Sequence, residues 1–426
     1  MQYFNTRNPE EKVSFKDAVV KGLADDKGLY MPESIPQLPD NFWKTITDKS
    51  DLEIAMEVIY PYVSDDLNKE TLEKILAGTL SFSTPVVNVK DNIYSLELFH
   101  GPTMAFKDVG ARFMSRCLGQ FKSDQKVTVL VATSGDTGSA VANGFWKIDG
   151  VDVLILFPKG KVSAFQEYQM TSLGHNIHTA EVEGAFDDCQ TLVKQALCDP
   201  ALKAKMQLSS ANSINIARLL PQMLYYFFAY KQLQEKHAGQ ELVVCVPSGN
   251  FGNLTAGLVA KRMGLPVQHF IAATNANDTF TDFMKTGEYN PKPSVMTYSN
   301  AMDVGAPSNF ERLHDLYNKD IEAIREDISS FSVSDEETLV EIKKTYEETS
   351  YILDPHGAVG KIALEKVLKP NQVGVFLETA HPKKFDSVVE KALPDADLEL
   401  EPIAAYTSSK VSIANDYNAL LSILNA

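Results

Sequence analysis

At 426 residues the chain is long enough for two or three domains with a large core, and its 44% hydrophobic and 23% charged residues are ordinary for a soluble globular protein. A formal net charge of −16 argues against a nucleic-acid binder, which needs a basic surface; it leaves room for anionic small substrates at a locally positive site. The cysteines, Cys117, Cys189, Cys198 and Cys245, form no CxxC pair and read as reduced, buried thiols.

The opening MQYFNTRNPEEKVSF has no basic segment followed by an apolar stretch, so it does not read as a signal peptide. Apolar runs such as LILF and LYYFFAY are too short to span a bilayer. A cytoplasmic enzyme fits these facts.

Residues 1–90 read as a mainly helical, loop-rich N-terminal region, in which DDLNKETLEKILAGTL has the acidic start and apolar spacing of a capped helix. From about 126 the pattern alternates: KVTVLVA (strand), GSAVANGFWK (helix), VDVLILF (strand), VSAFQEYQMTSLG (helix), NIHTAEVEG (strand), AFDDCQTLVKQALCD (helix). That alternation implies βαβ units and a parallel sheet. INIARLLPQMLYYFFAYKQLQEKHA reads as a long helix that Pro221 could kink. A second series follows: ELVVCVPSG, GNFGNLTAGLVAKRM, VQHFIAATN, then VGVFLETAHP and KKFDSVVEKAL. The fold class is therefore α/β, with two open, mostly parallel sheets flanked by helices and a cleft between them. Expected divisions are residues 1–90, 91–240 and 241–426, with the chain free to cross between the last two. Residues 285–335 show no assignable topology.

Three turns follow predicted strands: TSGDTG at 133–138, PSGNFGN at 247–253 and TAHPKK at 379–384. Open α/β sheets bind ligands beyond the carboxyl ends of their strands, so these turns are expected to converge. In PSGNFGN, small residues allow close approach, and free N–H groups at a helix start suit a phosphate. It is neither a Walker A loop nor GxGxxG, and a plain glycine-requiring connection explains it equally well. TSGDTG could hold a carboxylate through Thr133, Ser134 and Thr137, or simply cap a helix. SANSINIAR places Arg218 at another helix start, and FPKGKVS places Lys159 and Lys161 after a strand; both are candidate anion contacts, and both suit ordinary surface roles. No HExxH, no paired metal-ligand spacing and no GxSxG elbow occurs, so no metal is expected; His100 and His381 read as structural.

Residues 98–108, LFHGPTMAFKD, pose a separate question. Lys107 follows a Gly-Pro turn and an apolar triplet. It is either a lysine snorkelling from a helix start or a reactive amine that holds pyridoxal phosphate as a Schiff base near the glycine turn.

The set HGPTMAFKD, TSGDTG, SANSIN, PSGNFGN and ETAHPKKF, together with VSFKDAVVKGLADDKGLYMPESIP and SNAMDVGAPSNFERL, closely resembles the threonine synthase family along nearly the whole chain. The resemblance implies a fold-type-II pyridoxal 5'-phosphate enzyme, similar to the tryptophan synthase β subunit. It implies a carbon–oxygen lyase that turns O-phospho-L-homoserine and water into L-threonine and phosphate. By the same resemblance Lys107 is the Schiff-base lysine and general base. Gly249, Asn250, Phe251, Gly252 and Asn253 cradle the cofactor phosphate, and Thr379 faces the pyridine nitrogen. Thr133, Ser134 and Thr137 meet the substrate carboxylate; Lys161, Asn215 and Arg218 meet the substrate phosphate. Many fold-type-II enzymes carry Asn where this chain has Asp136, so the contact of Asp136 stays open, as does the oligomeric state. The alternative within the fold is a threonine or serine dehydratase, which needs no second phosphate site.

Overall fold

VDVLILFP is apolar on both faces because its strand lies inside a sheet that helices cover on both sides. The computed structural model describes residues 1–121, 125–396, 398 and 406–425. Within them, Val151–Pro158 stands in the middle of a five-stranded parallel sheet, ordered Lys410–Ala414, Ile177–Glu183, Val151–Pro158, Val127–Ala132, Gln207–Ser210. A six-stranded sheet runs Ile328–Ser332, Val267–Thr274, Glu241–Pro247, Gln372–Glu378, Ile93–Glu97, Val86–Lys90. The last two of these strands form an antiparallel hairpin, whereas the others pair in parallel.

The chain crosses between the sheets more than once. Strands at 86–97 pair with the sheet built mainly from 241–378, and Lys410–Ala414 returns to the sheet of 127–210. Sheet membership therefore does not follow divisions drawn at 90/91 and 240/241.

The N-terminal region is not only helix and loop. Tyr3–Asn5, Lys12–Val13 and Tyr30–Pro32 form a three-stranded antiparallel sheet. These strands are too short to show a period of two in the sequence. The helix Lys69–Thr79 is capped by Asn68, whose side chain accepts the Thr71 N–H at 2.9 Å, rather than by the preceding aspartates.

The expected long helix is interrupted. Ile216–Leu219 is α-helical, Leu220–Met223 tightens to a 3-10 turn, and Leu224–His237 resumes as α-helix. Pro221 lacks the N–H that an uninterrupted helix would use, which accounts for the break. The stretch that defied assignment holds a helix at Phe310–Leu316, another at Ile321–Asp327 and the edge strand Ile328–Ser332. Asp335–Thr349 then begins with a capping box of Ser334 and Glu337.

Cys117, Cys189 and Cys245 are free and buried, and Cys198 is free and partly exposed. Among the described residues no helix is long and apolar enough to cross a membrane, and no three His, Cys, Asp or Glu side chains gather as a metal site.

Candidate active site

Val127–Ala132, Glu241–Pro247 and Gln372–Glu378 all end toward one cleft. The turns that follow them line it with Ser134 and Thr137, with Ser248 to Asn253, and with Thr379. Lys107, Arg218 and His356 line the same space.

Lys107 is the first residue of the helix Lys107–Gln120. The turn before it is fixed from two directions. Asp108 reaches back, accepting the Thr103 N–H at 2.9 Å and its hydroxyl at 2.6 Å. A Cβ on Gly101 would stand 2.4 Å from Asp108 Oδ2, so glycine lets the turn close on that carboxylate. On the other side, Phe106 N–H donates to the Thr379 carbonyl at 2.9 Å and His381 N–H to the Met104 carbonyl at 3.0 Å. Met104 adopts a left-handed φ of 56° to make that connection.

Lys107 Nζ lies 3.7 Å from Asp136 Oδ2, with its side chain 15% exposed. Burial lowers the pKa of Lys107; Asp136 partly offsets this, and Lys384 and Arg218 push it further down. Burial alone would raise the pKa of Asp136, but Lys384 and Lys107 outweigh that and hold it well below the usual carboxylate range. Asp136, whose contact the sequence left open, thus touches two lysines and the Gln166 amide, which donates to Oδ1 at 2.9 Å.

The glycine turn is shaped for a ligand that needs backbone access. A Cβ on Gly249 would meet the Met302 Cα at 2.7 Å, and Phe251 takes a left-handed φ of 61° immediately before the helix Gly252–Arg262. Asn253 Oδ1 accepts the hydroxyls of Tyr225 at 2.7 Å and Tyr226 at 2.5 Å. That fixes the amide so that Nδ2 is buried with no partner among the described residues. Asn250 Oδ1 accepts the Ser308 N–H at 2.6 Å, tying the turn to the segment after residue 300.

Arg218, which lines the cleft, is 3% exposed, and its Nε is a second buried donor without a partner among the described residues. Burial brings its pKa down to about 10, partly offset by Asp108, so it stays cationic at neutral pH.

Three expected substrate residues stand elsewhere. Thr133 does not line the cleft; its hydroxyl accepts the N–H groups of Gly135 at 2.9 Å and Gly138 at 2.8 Å, shaping the turn that presents Ser134 and Thr137. Asn215 is fully buried, caps Ile216–Leu219 and donates to the carbonyls of Val19 and Ser210 at 2.9 and 3.0 Å. Lys161 is exposed and off the cleft, and Lys159 pairs with Glu183 at 3.1 Å. His100 and His381 are structural: His100 bonds Glu97 at 2.7 Å, and His381 Nδ1 accepts the Lys383 N–H at 3.1 Å.

Lys384, Gln166, Asp303 and His356 carry no sequence signal that marks them as site residues. Asp303 lines the cleft and accepts from Thr297 Oγ1 at 2.7 Å, Asn275 at 2.9 Å and Asn277 at 3.0 Å. His356 Nδ1 bonds Asp354 at 2.9 Å while Nε2 accepts the Ala301 N–H at 3.2 Å, which fixes the neutral tautomer.

Residues 82–377 match the model of the pyridoxal-phosphate dependent enzyme family, and residues 2–80 match that of the threonine synthase N terminus. A threonine synthase of Haemophilus influenzae is 46% identical over 393 residues, covering 92% of this chain and 91% of the relative. That of Escherichia coli is 44% identical with the same coverage. The chain belongs to the threonine synthase family. The crystal structure of threonine synthase from Escherichia coli superposes with a TM-score of 0.93 at 41% identity, covering 100% of this chain and 99% of the other. The yeast structure gives 0.91 at 34% identity, covering 100% and 98%. The processed form of threonine deaminase isoform 2 from Solanum lycopersicum shares the fold alone, at 16% identity and a TM-score of 0.55 over 76% of this chain and 89% of the other.

The protein is accordingly a pyridoxal-phosphate dependent lyase of this family, with the fold-type-II architecture. The cleft fits that cofactor: a buried amine of lowered pKa, a turn whose glycine leaves the backbone accessible, and a partnerless amide donor beside a helix N-terminus.

Proposed function

We propose that this cleft takes O-phospho-L-homoserine and water to L-threonine and phosphate, with Lys107 as the working amine. The observation that carries the reading is that Asn253 and Arg218, both lining one cleft, each hold a buried nitrogen with no partner among the described residues. Two unfilled donor sites suit two phosphates, one from the cofactor and one from the substrate, whereas a dehydratase needs only the first.

Gly249 to Asn253 would hold the cofactor phosphate, Lys107 its aldehyde carbon and Thr379 its ring nitrogen. Bound there, pyridoxal phosphate supplies the electron sink that makes a substrate Cα–H acidic. Ser134 and Thr137, at the start of Asp136–Phe145, would orient the substrate carboxylate, with Thr133 shaping their turn. Arg218 would hold the phosphate at Cγ. Asn215 supports this indirectly by capping the helix that carries Arg218, and Lys161 has no place in this account.

Lys107 Nζ is the group positioned to carry protons. It removes one from Cα; a second leaves Cβ as the Cγ–O bond to phosphate breaks. A proton then returns to Cγ, water adds its hydroxyl at Cβ, Cα is reprotonated, and the remaining proton leaves with the phosphate as hydrogen phosphate. The lowered pKa of Lys107 supports this work, because a base must be neutral to accept a proton. A cytoplasmic setting is the companion reading, supported by the buried free thiols of Cys117, Cys189 and Cys245.

The test is incubation of the cofactor-loaded enzyme with O-phospho-L-homoserine. Phosphate and threonine are expected in equal amounts. Release of a 2-oxoacid and ammonia as the main products would contradict the proposal.

A further inference from the structure

Asp136 is shared by two lysines on unequal terms. Lys384 Nζ lies 2.8 Å from Oδ1, and Lys107 Nζ lies 3.7 Å from Oδ2. Gln166 adds a second donor on Oδ1 at 2.9 Å, and its own Oε1 accepts the Ser163 N–H at 3.1 Å, so the amide orientation is set. Lys384 has a fully buried side chain whose second acceptor is the Thr103 carbonyl at 2.7 Å. Thr103 is the residue that Asp108 clamps, so Lys384 touches both the carboxylate and the turn that carries Lys107.

A buried ammonium is costly unless its protons are well placed. Lys384 meets this demand with two short, charge-compatible acceptors. Lys107 has one distant carboxylate oxygen and the face of the Phe106 ring, 4.9 Å from Nζ. A cluster of two lysines and one carboxylate carries one excess proton charge, and the lysine with poorer acceptors is the one that gives it up most readily.

We propose that Lys384 is a positioning residue that occupies Asp136, so that Asp136 orients the Lys107 amine without locking it as a permanent ammonium. Were Asp136 to face Lys107 alone, the two would form a close ion pair, and the amine would lose the neutral form that both cofactor attachment and proton transfer need. The other charged groups around this cluster act in known senses. Arg218 lines the same cleft and opposes a charge on Lys107. Asp108 and Arg112 lie behind the Thr103 turn and interact with each other. Asp303 and His356 line the same cleft.

The inference rests on Lys107 being the cofactor lysine, which borohydride fixation and peptide mapping test separately. Its own test reads the Lys107 amine in the full-length chain stripped of cofactor. Trace labelling with acetic anhydride across pH, followed by mass spectrometry of the Lys107 peptide, gives the apparent pKa. Lys384→Met should raise it by about one pH unit or more, and Lys384→Arg should restore a value near the native one. The acid limb of the kcat profile of the loaded enzyme should move upward in the Met variant by a similar amount. An unchanged or lowered Lys107 pKa in Lys384→Met overturns the proposal. Should that variant fail to fold, Asp136→Asn gives the complementary reading. Two lysines then face each other without a carboxylate, and the Lys107 pKa must fall by about one unit or more. No fall overturns the proposal equally.

Discussion

Phe106 donates its backbone N–H to the carbonyl of Thr379 at 2.9 Å, and this bond joins the turn before Lys107 to the turn after the strand Gln372–Glu378. Ala105 and Ala380 form a β-bridge alongside it. The amine and the hydroxyl assigned to opposite parts of one cofactor are therefore spaced by main chain rather than by flexible side chains.

Because Thr379 is held this way, changing its side chain alters charge more than geometry. Thr379→Asp places a carboxylate where a neutral hydroxyl stood and would hold the cofactor nitrogen protonated. The ratio of threonine to 2-oxoacid should shift by about tenfold or more, equivalent to ~1.4 kcal/mol between competing paths. An unchanged product ratio in a cofactor-loaded variant would count against the assigned role of Thr379.

The two partnerless donors should separate cofactor from substrate binding. Asn253→Asp keeps the shape and the acceptor used by Tyr225 and Tyr226 but replaces the free donor with a repelling oxygen. Cofactor affinity should fall by about 100-fold, or ~2.7 kcal/mol, in fluorescence titration. Arg218→Lys keeps a charge but loses the planar fork. KM for the phosphorylated substrate should rise about 10- to 100-fold with cofactor binding little changed. Equal effects of both variants on both ligands would merge the two proposed sites.

Gly249→Ala tests the close approach at the glycine turn. Its Cβ would meet main chain at Met302, which has no side-chain rotamer with which to yield. A stability loss of about 1–3 kcal/mol by chemical denaturation is expected, with weaker cofactor binding. Full stability would mean that the segment at 300–304 moves freely.

Burial raises Asp303 to a pKa of about 6 from 3.8, against the pull of Thr297 and Asn275. The folded protein takes up this proton near pH 6 and the unfolded chain only near 3.8, so by linkage protons favour folding in that window. The contribution is complete below 3.8 and is lost as pH rises through 6. From pH 7.5 to 5 the native protein should gain ~1 kcal/mol relative to Asp303→Asn, a figure reduced for partial solvent screening. Denaturant titrations of both proteins at the two pH values check this; a gap that does not change with pH assigns Asp303 no buried charge.

Much of the architecture was legible because its strands are apolar runs bounded by glycine-rich turns. KVTVLVA, VDVLILF and ELVVCVP each became a strand of a parallel sheet. The three-residue N-terminal strands were not, since a period of two needs more residues to register. At the site, Lys107, Ser134, Thr137, Thr379 and the turn at 249–253 reach one cleft as expected. Lys384 was hidden because HPKKF offers two adjacent lysines, and only the 3-10 turn at Pro382–Phe385 decides which one is buried. Asp303 lies in a stretch without periodicity, where hydrogen bonds to side chains at 275–297 replace regular structure. Asn215 and Lys161 misled for a common reason: polar residues near a turn look alike in sequence whether they face a ligand, a helix end or solvent.

Which amine reacts decides how the cleft works. Borohydride reduction of the cofactor-loaded enzyme, followed by proteolysis and mass spectrometry, fixes the cofactor to whichever lysine holds it. One modified peptide is predicted, carrying the adduct on Lys107. It should be absent from Lys107→Ala, together with a loss of turnover of about 1,000-fold or more. An adduct on Lys384, or near-normal turnover in Lys107→Ala, would contradict the claim.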